Sequence, residues 1–265
     1  MGSIAKKGLK RRKKLYILSR MNLVKKISAS FSVLIFFILI LTTISSVEAS
    51  LKNRLTKGNV GDYVVTEQGS HYSLLFVRKN TERWLVLEEI MINKSQVNLK
   101  KFDWKKWVNE RAPGATSWLS LTIDLEKNTL AQCFSYLEKQ WLFIEKSDYL
   151  LANLLTLHLR PTKEKDRKRV GPAPFPGEVD RRKVWIPPLV RDGKKIKKPQ
   201  FEVVRTTWPS DKTRLAGCIL ELYLDKGNPD FPFPYWMEVQ SPHYTFKIRA
   251  IDSGTQISSP MPLLK

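Results

Sequence analysis

Hydrophobic and polar positions alternate along much of this chain with the period of β-strands. Leu119, Leu121, Ile123 and Leu125 interleave with Ser120, Thr122 and Asp124, a period of two that predicts a half-buried strand. Glu126-Lys127-Asn128-Thr129 then turns the chain into a hairpin partner over Leu130–Leu137. Upstream, Val60–Thr66, Tyr72–Val77 and Trp84–Ile92 are separated by Glu67-Gln68-Gly69-Ser70 and by a polar break at Arg78–Arg83, which predicts a meander. Their near-continuous apolar character predicts cover on both faces. Downstream, Ala216, Cys218, Leu220, Leu222 and Leu224 share one face of a strand. Tyr235–Val239 follows Pro232-Phe233-Pro234, and Tyr244, Phe246, Ile248 and Ala250 alternate with Thr245, Lys247, Arg249 and Ile251.

Helical periodicity is rarer. Asn98 can cap a helix from Leu99 whose apolar stripe is Phe102, Trp107 and Val108, stopped by Ala112-Pro113-Gly114. Ser147 can cap a second, from Asp148 to about Leu159, that leucines nearly encircle, with His158 on it. The fold class expected is therefore α+β and β-dominated: an N-terminal signal or anchor helix, then a curved, largely antiparallel sheet with two helices packed on it.

The N-terminus has a different pattern. No charged residue lies between Ile27 and Val47, and ten Lys and Arg precede that stretch without an Asp or Glu. Val47 and Ala49 fit the small-residue positions of a signal-peptidase site, with cleavage between Ala49 and Ser50. A start at Met21 in place of Met1 would give a leader of ordinary length. The alternative is an uncleaved span, since the stretch approaches the ~20 residues that cross a bilayer. The Ala49 site and the short apolar core favour cleavage. Either way residues 1–49 are a leader or anchor. Residues 50–265 are then one extracytoplasmic domain, periplasmic or secreted, or held at the inner membrane by residues 27–47.

Charge narrows the partners. The chain carries 46 Lys and Arg against 25 Asp and Glu, and residues 50–265 retain 36 against 24. Much of this excess lies in 161–200, which has 13 Lys and Arg, five Asp and Glu, and seven of the 15 prolines. Proline at that density excludes a regular helix or central strand, leaving an extended basic excursion with a short strand near Val184-Trp185-Ile186. Arg167, Lys168, Arg169, Arg181, Arg182 and Lys183 are its candidate contacts to a membrane or another anionic envelope component; a solvated loop is the alternative. Nucleic acid is not expected, because basic and aromatic residues scarcely interleave there. Oligomeric state cannot be read.

Reactive chemistry is sparse. Cys133 and Cys218 could form a disulfide in an oxidising compartment or remain two buried thiols. No H-E-x-x-H or C-x-x-C spacing occurs, so no metal site and no cofactor are indicated. Ser253, His243 and Asp252 make a poor triad, because adjacent Asp252 and Ser253 can hardly flank one imidazole. A cysteine nucleophile with His158 would be unusual, since thiols in apolar runs are generally inert. The reading reached is a non-enzymatic envelope protein that binds a lipid or anionic component. The alternatives are an envelope hydrolase, which would need His71 or His243 beside a carboxylate in a cleft, or a purely structural or interaction protein.

The strands Pro232–Val239 and Tyr244–Ile251, with Asp252-Ser253-Gly254, resemble the closing strands of periplasmic lipoprotein-carrier domains. Val60-Gly61-Asp62-Tyr63 through Glu88-Glu89-Ile90 resembles uncharacterised secreted proteins of Gram-negative intracellular bacteria. The first resemblance implies an open half-barrel that binds acyl chains, with no binding residue carried over.

Overall fold

The computed structural model describes residues 51–143, 157–211 and 215–264. The leader, its cleavage site and most of the expected helix from Asp148 lie outside the described residues. Among the described residues no helix is long and apolar enough to cross a membrane.

In chain order the elements are α1 (Leu51–Lys57), β1 (Tyr63–Gln68), β2 (His71–Asn80), β3 (Trp84–Asn93), α2 (Trp104–Asn109), β4 (Ser117–Asp124), β5 (Thr129–Ser135) and β6 (Gln140–Trp141). They continue with β7 (Arg160–Pro161), β8 (Val190–Arg191), β9 (Lys194–Lys195), β10 (Phe201–Thr207), β11 (Ile219–Asp225), β12 (Trp236–Gln240) and β13 (Thr245–Gly254). Eleven strands form one antiparallel sheet in the order β6-β5-β4-β3-β2-β1-β13-β12-β11-β10-β7, and β8 and β9 make a separate hairpin. The sheet is two meanders joined where β1 meets β13, from Tyr63 opposite Gly254 to Glu67 opposite Arg249.

Turn chemistry supports this path. Gly69 turns β1 into β2 at φ 51°, and Asn128 sits at φ 53° before β5, conformations that Gly and Asn tolerate. Asp124 Oδ1 accepts from the Glu126 and Lys127 amides at 3.0 and 3.1 Å, closing the turn between β4 and β5. Bulges between Val65 and Thr66, Val77 and Lys79, and Thr122 and Ile123 bend the strands locally.

Both faces of the first meander are covered, as its apolar sequence predicts. One core joins Val64, Leu75, Leu87, Leu121 and Cys133 to Val204, Leu222, Met237 and Ile248 of the second meander, with Leu55 of α1. The opposite core is aromatic: Tyr63, Phe76, Trp118 and Tyr136, covered by Trp104, Trp107 and Val108 of α2 and by Ile257 of the C-terminal tail.

Four expectations change. The helix expected from Leu99 begins five residues later, because Asp103, whose carboxylate accepts from the Lys106 amide at 3.0 Å, is the cap; Asn98 instead closes a turn onto Lys100 and Lys101. Leu157–Leu159 is not helical: Leu157 and Leu159 are buried in the core and His158 is exposed on the approach to β7. The Cys133–Cys218 bridge does not form. Both cysteines are buried thiols outside any disulfide, one on β5 and the other just before β11, seven strand-to-strand steps apart. In β13 the face carrying Tyr244 and Phe246 is exposed at its start and buried only from Ile248 onward.

Candidate functional site

The excursion packs across β10–β12 and builds a cleft with them. Its path is set by charge. Glu221 on β11 stands directly opposite Glu238 on β12, a like-charge pair that would destabilise the sheet if left alone. Arg205 of β10 pairs with Glu221, and Lys168 of the excursion reaches Glu238 at 2.9 Å. Burial works to raise the Glu238 carboxyl, but hydrogen bonds from Lys168 and Gln240 outweigh it and hold it below its ordinary value. Trp185 then stacks edge-on against Trp236 and Tyr223, with centroids 4.8 and 5.4 Å apart, and Lys168 lies over its ring.

At the start of β10 this packing leaves a cleft of about 930 Å³ between the excursion, α1 and the turn after β11. Trp185, Phe201 and Tyr223 form an aromatic wall, and Arg54, Lys57, Arg167 and Lys226 bring positive charge to it. Arg54 is 5% exposed and is held by Glu202 at 3.0 Å and by the Asp225 carbonyl at 3.3 Å. Its buried Nε has no hydrogen-bond partner among the described residues. Arg167 is half-buried; its Nε makes a long hydrogen bond to the Thr162 carbonyl at 3.4 Å. Burial, followed by the nearby Glu221, pushes the Tyr223 phenol up, so it stays neutral and donates to Glu221 Oε1 at 2.9 Å, leaving its ring as the part that faces the cleft. Such a site can take a ligand with an apolar body and an anionic head.

Of the six basic residues singled out in the sequence, the structure brings only Arg167 to this cleft. Lys168 neutralises Glu238. Arg169 and Arg182 both pair with Asp180, at 3.3 and 2.9 Å. Arg181 and Lys183 are exposed. Arg54, Phe201 and Tyr223 carry no local signal in the sequence, since what groups them is the pairing of β10 with β11 and the return of the chain past α1.

The histidines stand apart from carboxylates. His71 Nδ1 meets Ser70 Oγ at 3.0 Å in the turn between β1 and β2, and His158 and His243 are exposed. Among the described residues no histidine forms an ion pair, and no three His, Cys, Asp or Glu residues gather as a metal site would need.

This large antiparallel sheet with few helices has a solved counterpart. The structure of the hypothetical protein CT021 from Chlamydia trachomatis matches with a TM-score of 0.57 and 20% identity, covering 83% of this chain and 99% of that one. At that identity the likeness is one of fold. The family described as CT021 protein matches residues 73–197, from β2 into the excursion. The resemblance to uncharacterised bacterial proteins is thus supported, at the level of that family. No curated protein matches.

Proposed function

We propose that this chain is a non-enzymatic binding protein of the cell envelope that holds an anionic amphiphile, of the lipid class, in the cleft at the start of β10. The observation that carries the reading is the pairing of an aromatic wall, Trp185, Phe201 and Tyr223, with the cations Arg54 and Arg167 in one cleft. Apolar rings bury a hydrocarbon body, while the half-buried Arg167 guanidinium, which forms no salt bridge among the described residues, supplies the charge-assisted contact that fixes the head. A curved, open half-barrel of the lipoprotein-carrier type would suit this role; here the ligand would lie in the cleft beside the packed core that spans both meanders. Export by the leader at 1–49 puts the cleft on the side of the membrane where such ligands lie.

Titration with a fluorescent anionic acyl probe tests the reading. Saturable uptake is expected, weakened about tenfold by Arg167→Glu, the scale of one charged contact. Absence of saturable uptake ends the lipid reading. A reporter enzyme fused after Ser50 tests export separately, and a cytosolic reporter removes the envelope assignment.

A further inference from the structure

Beyond the cleft the excursion ends in a braced loop. Arg169 and Val184 form an isolated antiparallel bridge, flanked by Val170 N–H to the Lys183 carbonyl at 2.9 Å and Trp185 N–H to the Lys168 carbonyl at 2.7 Å. Asp180 gathers Arg169 and Arg182 at this neck, and Arg182 also donates to the Gly171 carbonyl at 3.0 Å. Pro172, Pro174 and Pro176 stiffen the chain beyond it. The Phe175 amide and the Glu178 carboxylate close a turn at 3.2 Å.

This ordered loop shows its largest apolar side chains to solvent. Phe175 and Val179 are each 78% exposed, and Val170 is 56% exposed. A rigid tip that exposes a phenylalanine loses hydrophobic stabilisation unless something covers it. Arg181 and Lys183 flank the tip, exposed and without a carboxylate partner among the described residues, because Asp180 is taken up by Arg169 and Arg182. Glu178 opposes them, but the excursion as a whole carries 13 Lys and Arg against five Asp and Glu. A second copy of so basic a chain would be repelled; an anionic surface would be attracted.

We infer that the tip around Phe175 and Val179 docks the protein on an anionic membrane surface, the two side chains entering the interface while Arg181 and Lys183 meet the headgroups. The inference does not require a ligand in the cleft. It would, however, set that cleft beside the bilayer, because Val184, Trp185 and Ile186, at the foot of the loop, form part of its wall.

The apolar stretch at 27–47 could carry the full chain to vesicles by itself, so the readout must be local. An environment-sensitive fluorophore is placed on Val179→Cys; Cys133 and Cys218, 1% and 2% exposed, react slowly. Spin-labelled lipid is expected to quench it in vesicles of phosphatidylcholine with phosphatidylglycerol, and far less in phosphatidylcholine alone. Phe175→Ser should weaken the quenching about tenfold, and Arg181→Glu with Lys183→Glu should abolish the anionic preference. These side chains are exposed, so thermal melting should be unchanged. Quenching no greater than that of a fluorophore on Lys127→Cys, or equal in both lipids, overturns the inference. So does a spectral shift that follows protein concentration without vesicles, which would reveal self-association. Acyl-probe uptake in the cleft is read independently of every one of these outcomes.

Discussion

Glu88 and Glu89 are neighbours on β3, yet they are buried in opposite cores of the same sheet with different company. Glu88, 0% exposed, accepts from Trp118 Nε1 at 2.8 Å and Ser259 Oγ at 2.7 Å, with Arg78 Nε at 3.2 Å. That last contact is a charge pair, not an aligned hydrogen bond, and Arg78 Nε donates to no acceptor among the described residues. Among the described residues Glu89, 1% exposed, has only Ser73 Oγ at 2.6 Å, and its Oε2 meets no donor. Burial raises both carboxyls, and for Glu89 the value reaches about 8.

Glu89 therefore links stability to pH. Its folded value lies above its ordinary 4.5, so the native state holds the proton more tightly than the unfolded chain. The associated stabilisation is complete below about pH 4.5 and is lost as pH rises through about 8. Glu89→Gln should remove this slope and stabilise the protein near pH 8 by a few kcal/mol. Urea unfolding of both proteins between pH 5 and 8, the interval set by this shift, checks it; parallel stability curves would show that Glu89 does not hold the proton.

Cys133 should be inert in the native state. Burial, with Glu89 nearby, pushes its thiol up to about 12, so almost no thiolate exists at neutral pH. Both thiols should react with a colorimetric disulfide reagent only after denaturation, and reductant should leave Tm unchanged. Rapid native labelling, or a Tm lowered by reductant, contradicts the assignment of two buried, unbridged thiols.

Gly254 ends β13 where no side chain fits. A Cβ there would collide with Asp192 Oδ1 and lie 2.7 Å from the Tyr63 ring. Asp192 is in the turn of the β8–β9 hairpin, docked by its amide on the Ser253 carbonyl at 2.7 Å. The aspartate can move, but the buried tyrosine cannot. Gly254→Ala should cost about 1–3 kcal/mol, the usual effect of overpacking. Thermal melting measures it; an unchanged Tm would mean that the hairpin shifts freely.

Asp180 holds the neck of the exposed loop. Hydrogen bonds from Arg182 pull its carboxyl down to about 2. Asp180→Asn should leave global Tm nearly unchanged and speed proteolysis between residues 170 and 183, because the neck loses both charge pairs. Limited proteolysis with mass spectrometry reads this directly. Equal cleavage rates would show that the prolines alone hold the loop.

Short-range pattern was sufficient to mark nearly every long strand. The period-two run at 119–125 and the near-continuous apolar run at 84–92 became β4 and β3, and Gly69 and Asn128 turned the chain where expected. Strand β10 carries no such local pattern: Phe201, Val203 and Val204 put apolar residues on both faces, while Glu202, Arg205 and Thr206 interrupt each face, so neither period stands out. Among the candidate contacts, the sequence marked Arg167 but could not separate it from Lys168, Arg169 and Arg182, whose carboxylate partners lie up to 70 residues away.

By itself, then, the amino-acid sequence determined that this is a β-dominated, basic chain behind an apolar leader-like stretch, because residue period and charge are local properties. Only the tertiary structure decided that β1 closes on β13, that Glu88 and Glu89 enter different cores, and which arginines are spent on aspartates and glutamates. Those outcomes depend on which distant strands and side chains meet. A period of two says that a strand has two faces, but not what lies against either of them.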